Sequence, residues 1–215
     1  MQSLRFLLNI LFPEQCLSCT REGSPLCEDC LSSVPVAKPT PYPWCYARFD
    51  YHNKIMKDAL WNLKYKNRKG VATSLGKSLH ELIFEEYAEK ILFGSTRKIL
   101  VIPIPLSRRK LRERGYNQCD LLARALVKEA PDNYIYAPKI LIKHKDTASQ
   151  AKITSKKERL QNIRGSFSIR DAKLVHKQRC ILIDDIVTTG ATLTEARRIL
   201  LSAGASDVCA LTVAH

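Results

Sequence analysis

The chain has 215 residues, 45% of them hydrophobic and 26% charged, enough to bury one good core with a small appendage but not two equal domains. No stretch approaches the roughly 18 apolar residues needed to span a bilayer, which sets aside a transmembrane protein. Lys and Arg number 35 against 21 Asp and Glu, a formal net charge of +14; that balance favours polyanionic partners or anionic substrates, although a solvated basic surface would give the same figure.

At the N-terminus, Leu4 to Pro13 has the look of a secretion signal. It carries one positive charge, is interrupted by Asn9 and has no small-residue cleavage site before Gln15 and Cys16. A short amphipathic helix packed on the body is therefore expected, with contact to a membrane surface as the lesser alternative. Next come Cys16-x2-Cys19 and Cys27-x2-Cys30, seven residues apart. Two such knuckles can converge four thiolates on one tetrahedral zinc ion, and Gly23, Ser24 and Pro25 allow the reversal between them. Disulfides are the alternative and belong to an oxidising compartment, which the other features do not suggest. Four thiolates close the site, so the zinc would be structural. Cys45, Cys119, Cys180 and Cys209 lie apart in apolar patterns and read as core.

Pro35, Pro39, Pro41 and Pro43 make residues 34–44 a stiff connector, which places a boundary near Cys45 and divides the chain into 1–45 and 46–215. Tyr46 to Tyr51 reads as a strand, and Ile55, Met56, Ala59, Leu60 and Leu63 as a helix. Trp61, Lys64 and Tyr65, with Lys54, Lys57, Lys66, Arg68 and Lys69, interleave rings with cations as single-stranded nucleic acid requires; a core Trp61 among solvated lysines fits equally. A second helix starts at Val71 and ends before Gly94, and Lys98 to Ile102 is a strand that Pro103 and Pro105 terminate. Leu106 to Gln118 reads as a loop with the densest positive charge in the chain. Arg108 and Arg109 could there hold a pyrophosphate, and Arg112 and Arg114 steer nucleic acid. Cys119, Leu122, Leu126 and Ala130 predict a helix ended by Pro131.

His144 to Gly165 is a long polar excursion whose Gln150, Lys156, Lys157, Arg159, Asn162 and Arg164 could close over an anion. After a strand at Ser166 to Ile169, the apolar run Cys180 to Ile183 suits a strand buried on both faces. Asp184 and Asp185 follow at its carboxyl end, where open α/β sheets place ligands. Thr188 to Thr192 are small or hydroxylated, so that backbone N–H groups and hydroxyls can surround an anion. Thr192 and Glu195 fit a capping box that would start a helix aimed at it. That helix stops at Gly204, and Val208 to Val213 is a last strand. Alternating strands and helices predict an α/β fold with a parallel sheet flanked by helices.

The stretch Ile181 to Leu193 resembles the phosphoribosyl pyrophosphate (PRPP) signature of the type I phosphoribosyltransferases. In that family two acidic residues contact the ribose 2′- and 3′-hydroxyls and the following loop holds the 5′-phosphate. The resemblance gives Asp184 and Asp185 the first role and Thr188, Thr189, Gly190, Ala191 and Thr192 the second. Together with the four cysteines, the Ile102 to Leu106 and Arg114 to Gln118 patches and the Gln150, Arg159 and Asn162 loop, it is similar to the ComF competence proteins over nearly the whole chain.

That resemblance implies a cytoplasmic protein with a zinc-binding head on a type I phosphoribosyltransferase-like body, handling single-stranded DNA during natural transformation. A DNA-uptake helicase or recombination proteins would be its partners. PRPP with Mg²⁺ would occupy the site, and Arg108 or Arg109 with Gln150 and Arg159 would meet the pyrophosphate. The alternative is an active transferase moving phosphoribosyl from PRPP to an acceptor the sequence does not name.

Overall fold

A computed structural model describes residues 14–92, 98–144 and 163–215 and, for residues 86–92, the backbone alone. Residues 1–13, where the N-terminal helix is expected, and most of the polar excursion, with Gln150 and Arg159, lie outside the described residues.

Five strands form one all-parallel sheet: β1 (Cys45–Phe49), β2 (Ile99–Pro103), β3 (Tyr134–Tyr136), β6 (Arg179–Ile186) and β7 (Asp207–Ala214), in the order β1-β7-β6-β2-β3. The other two, β4 (Leu141–Lys143) and β5 (Phe167–Ile169), pair antiparallel in a separate two-stranded sheet. Successive strand residues point to opposite faces, and both faces here are covered. Ile99, Val101, Ile181, Ile183, Cys209 and Leu211 face a core built with α2 (Lys54–Tyr65), α3 (Val71–Leu92) and α5 (Gln118–Glu129). Leu100, Ile102, Cys180, Leu182, Val208 and Ala210 face a second core under α6 (Ala191–Ser202) and the β4–β5 pair. This explains why the strands read as continuous apolar runs rather than as alternating ones.

The chain leaves β2 through α5 to reach β3 on one side, and leaves β6 through α6 to reach β7 on the other. The carboxyl ends of β2 and β6 therefore flank a point where the winding reverses, the place at which an open α/β sheet leaves a crevice.

Near the N-terminus, Cys30 lies on α1 (Glu28–Ser32). Leu26, Leu31 and Val34 belong to the same core as α2 and α3, Ser74 donates to the Leu26 carbonyl at 2.8 Å, and Lys77 pairs with Glu28 at 2.5 Å. The proline-rich connector runs alongside β1, where Val36 bridges Phe49 and Asp50 N–H donates to Pro35 O at 2.8 Å. Prolines suit such an edge because they have no N–H to leave unpaired.

Several local expectations are corrected. The basic stretch expected as a loop contains a short helix, α4 (Arg108–Arg114), because Ser107 caps its start and Gly115 ends it in the left-handed region at φ 78°. Pro103 lies within β2 rather than beyond it. It still aligns with Ile183 in the parallel ladder. β3 and β4 were not anticipated: three residues each are too few to show a period. The capping box also fails, since Gly190 is the N-cap of α6 and Thr192 lies inside the helix. Glu195 instead accepts the Gly165 N–H at 2.8 Å and binds Arg198.

Where α3 crosses α5, a Cβ at Gly76 would stand 2.3 Å from the Ala125 Cβ and 3.0 Å from the Leu126 nitrogen. Gly76→Ala should therefore cost about 1–3 kcal/mol by overpacking, more than the up to about 1 kcal/mol it gains in helix propensity. A lower urea midpoint for the variant checks this.

Candidate functional site

At the carboxyl end of β6, Asp184 is partly exposed and Asp185 only 6% exposed. Two adjacent carboxylates in so dry a place need compensation, and it arrives from two helices. Lys64 on α2 places its Nζ 2.5 Å from Asp185 Oδ2. Gln118, the first residue of α5, donates to the same oxygen through Nε2 at 3.2 Å. Ile186 N–H donates to Asp185 Oδ1, and Asp185 N–H to Asp184 Oδ1, both at 2.9 Å. Cys119 Sγ also reaches Asp184 Oδ1, at 3.2 Å.

Protonation follows from these contacts. Burial and the neighbouring Asp185 charge push Asp184 up to about 7. Burial, reinforced by both aspartates, holds the Cys119 thiol well above its ordinary range, so it donates to Asp184 as S–H. Burial alone would lower Lys64, but the Asp185 carboxylate more than reverses this and keeps the amine charged.

Beyond the aspartates the chain turns through Thr188 and Thr189 to Gly190, in the left-handed region at φ 68°. Any side chain there would also collide with Tyr42, whose ring carbon lies 2.2 Å from where a Cβ would stand. The Tyr42 hydroxyl donates to the Thr189 carbonyl at 2.7 Å, tying the connector to the loop. Arg197 stacks over Trp44, 5.0 Å from its ring centre, and Trp44 in turn lies against Tyr42. The loop, the start of α6, both aspartates and residues 104–106 after β2 line a cavity of about 300 Å³. Lys64, Lys110, Arg114 and Lys143 bring positive charge to its wall. It has the size and polarity for a phosphorylated sugar.

Residues Arg114 to Gln118 act as one device. Arg114 hydrogen-bonds the Gln118 side chain and lies over the Tyr65 ring at 5.1 Å. Tyr116 donates to the Leu63 carbonyl. Asn117 caps α5 and donates to the Ile104 carbonyl at 3.0 Å. Tyr65 lines the edge of the cavity and Trp61 stands beyond it; the two are 58% and 57% exposed, their ring centres 4.4 Å apart.

Of the residues singled out in the sequence, Asp184, Asp185 and Thr188 to Thr192 come together around this one cavity. Lys64, grouped by sequence with the exposed rings of Trp61 and Tyr65, turns inward to Asp185. Arg114 serves both the cavity and the rings. Arg108, Arg109 and Arg112 are exposed on α4 and do not line the cavity; Arg109 pairs with Glu113 at 2.7 Å. Sequence reasoning did not single out Tyr42, Lys110, Gln118, Cys119 and Lys143. Lys110 and Gln118 carried a signal, the first inside the basic stretch Leu106 to Gln118 and the second as the last residue of the Arg114 to Gln118 patch.

In the N-terminal segment the sulfur atoms of Cys16, Cys19, Cys27 and Cys30 lie within 4.8 Å of one another, a set that could hold a metal ion. The Cys19 and Cys27 sulfurs are 3.6 Å apart, close to the ~3.8 Å edge of a tetrahedron with metal–sulfur bonds of about 2.3 Å. Burial works against ionisation of Cys16, but backbone N–H groups of Cys19, Cys27 and Ser18 outweigh it and draw the thiol down to about 6.

Residues 121–215 match the model of the phosphoribosyl transferase domain. The competence protein ComFC of Streptococcus pneumoniae is 31% identical over 208 residues, covering 91% of this chain and 78% of the relative. The chain belongs to the ComF family of competence proteins. ComFC of Bacillus subtilis is 31% identical over 165 residues, 75% of this chain and 60% of that one. The DNA utilization protein YhgH of Escherichia coli K12 is 26% identical over 202 residues, 90% and 85% of the two chains. With its parallel sheet flanked by helices, this ComF protein has the type I phosphoribosyltransferase fold, preceded by a four-cysteine cluster. Among its described residues no helix is long and apolar enough to cross a membrane.

The raised pKa of Asp184 has a measurable consequence. Its value near 7 in the fold exceeds the ~3.9 of an unfolded aspartate, so the folded state binds the proton more tightly. Stability from this group is present below about pH 4, falls as pH rises through about 7 and changes no further above it. Urea midpoints measured from pH 5 to pH 8 should fall less in Asp184→Asn than in the unaltered protein; parallel pH profiles would contradict the assignment.

Proposed function

We propose that this chain is a cytoplasmic competence protein that handles single-stranded DNA and binds PRPP with Mg²⁺. The observation that carries the reading is the cavity at the winding reversal, lined by two aspartates and by the small-residue loop Thr188 to Thr192. Asp184 and Asp185 accept the ribose hydroxyls, and Thr188 to Thr192 with the start of α6 receive the 5′-phosphate. Lys64, Lys110 and Arg114 supply charge for the diphosphate. They take the role first considered for Arg108 and Arg109. The aspartate pair and the ligand's own oxygens suit Mg²⁺, a hard cation that prefers oxygen; bound there, it neutralises diphosphate charge.

Two features favour nucleic acid over a plain salvage reaction. The net charge is +14, and an exposed Trp61–Tyr65 pair with Arg114 on its Tyr65 ring stands beside the cavity. Successive bases stack on such rings while phosphates follow the cations. Residues 1–45 form the head, with zinc held by Cys16, Cys19, Cys27 and Cys30, and residues 46–215 the body. The names of the relatives, competence protein and DNA utilization protein, agree with this role.

Two outcomes are expected. By calorimetry, PRPP with Mg²⁺ should bind the unaltered protein, and Asp185→Asn should weaken it at least tenfold. Single-stranded DNA binding should fall with rising salt, weaken in the Trp61→Ala, Tyr65→Ala double variant, and survive Asp185→Asn. No heat with PRPP rejects the site, and pyrophosphate release with an added nucleophile would instead establish a working transferase.

Purified protein should also contain about one zinc ion per chain by elemental analysis, and Cys27→Ser should lose it. Because Leu26 and Leu31 share the main core, that loss should lower the melting temperature of the whole chain.

A further inference from the structure

The cavity carries a cation of its own. A strand end bearing two carboxylates calls for a positive ion, and a bound divalent metal is one solution. Carboxylate and thiol atoms of Asp184, Asp185 and Cys119 lie within 4.8 Å of one another, as metal ligands would. Yet the Lys64 ammonium stands at the pair. Its side chain is 17% exposed and that of Asp185 9%, with 2.5 Å between charged atoms. Asp185 Oδ2 is shared between Lys64 and Gln118, and Oδ1 takes the Ile186 N–H, so a metal reaching for Oδ2, whose two acceptor sites are both taken, must displace a donor.

Resting on the reading of this cavity as the PRPP site, we propose that Lys64 is a tethered counter-cation. It stands in for a divalent metal at the Asp184–Asp185 pair and yields that place when an anionic sugar phosphate draws the ammonium away. Lys64 lines the same cavity as the phosphate cradle, so its new partner would arrive within reach of its flexible stem. Metal and sugar phosphate would then bind with positive cooperativity, because each is costly without the other. A lysine serving only as a structural ion pair would behave differently: its removal would lower stability, and PRPP would tighten metal binding equally with and without it.

Mn²⁺ binding to the zinc-loaded full chain, followed by the electron paramagnetic resonance of the free ion, separates the two. Thiolate sites disfavour this ion, so the four-cysteine cluster should not obscure the result. Without sugar phosphate, Lys64→Met should bind Mn²⁺ at least tenfold more tightly than the unaltered protein, Lys64→Arg should resemble the unaltered protein, and Lys64→Met combined with Asp185→Asn should lose the gain. PRPP should tighten Mn²⁺ binding to the unaltered protein much more than to Lys64→Met. Should Lys64→Met fail to unfold cooperatively, Lys64→Gln takes its place. Equal Mn²⁺ affinity with and without the lysine overturns the proposal, as does a gain that persists when Asp185 is replaced. The metal-only measurements need no sugar phosphate, so their failure is distinct from a failure of PRPP to bind.

Discussion

Everything around the cavity depends on keeping two neighbouring carboxylates at the end of a buried strand. A bare pair in that position would protonate or destabilise the fold. The protein meets this with an ammonium from α2, an amide and a thiol from α5, and two backbone N–H groups of β6 itself. Asp185 is thereby held as a paired charge, while Asp184 is left poised near neutrality. The two aspartates thus occupy different environments although they are adjacent in sequence, because alternate strand residues face opposite sides of the sheet.

Satisfying that pair fixes how the surrounding elements sit. Lys64 can reach Asp185 only if α2 ends over the carboxyl edge of the sheet, and Tyr116 secures that end by bonding the Leu63 carbonyl. Gln118 reaches the same carboxylate because Asn117 caps α5 directly beneath it. Arg114 then joins Gln118 to the Tyr65 ring, so the exposed aromatic pair and the two aspartates belong to one connected set of contacts. On the opposite wall, Tyr42 closes against Gly190 and bonds Thr189. The connector after the four-cysteine head is therefore part of the cavity's frame.

The basic stretch shows how charge density and charge position differ. Arg108, Arg109 and Arg112 dominate the composition of that stretch, yet α4 turns them outward, while Lys110 and Arg114 line the cavity. A helix spreads successive side chains around its axis, so only part of a cationic run can address one ligand.

By itself the sequence determined the strand–helix alternation, the convergence of four cysteines and the aspartate and threonine cluster at a strand end. Each depends on neighbours within about a dozen residues, where periodicity and spacing are legible. It could not show that Lys64 faces inward while Trp61 and Tyr65 on the same helix face solvent, since that depends on which face of α2 meets the sheet. Nor could it find β3 and β4, whose pairing partners lie far along the chain, or the capping of α6 by Gly190, which depends on the fit of Tyr42 against the loop. Tyr42 and Thr189 are separated by 147 residues, and Lys64 and Asp185 by more than half the chain. Contacts of such range carry no local pattern. They were decided only when packing on both faces of the sheet brought the winding reversal, the connector and the end of α2 to one place.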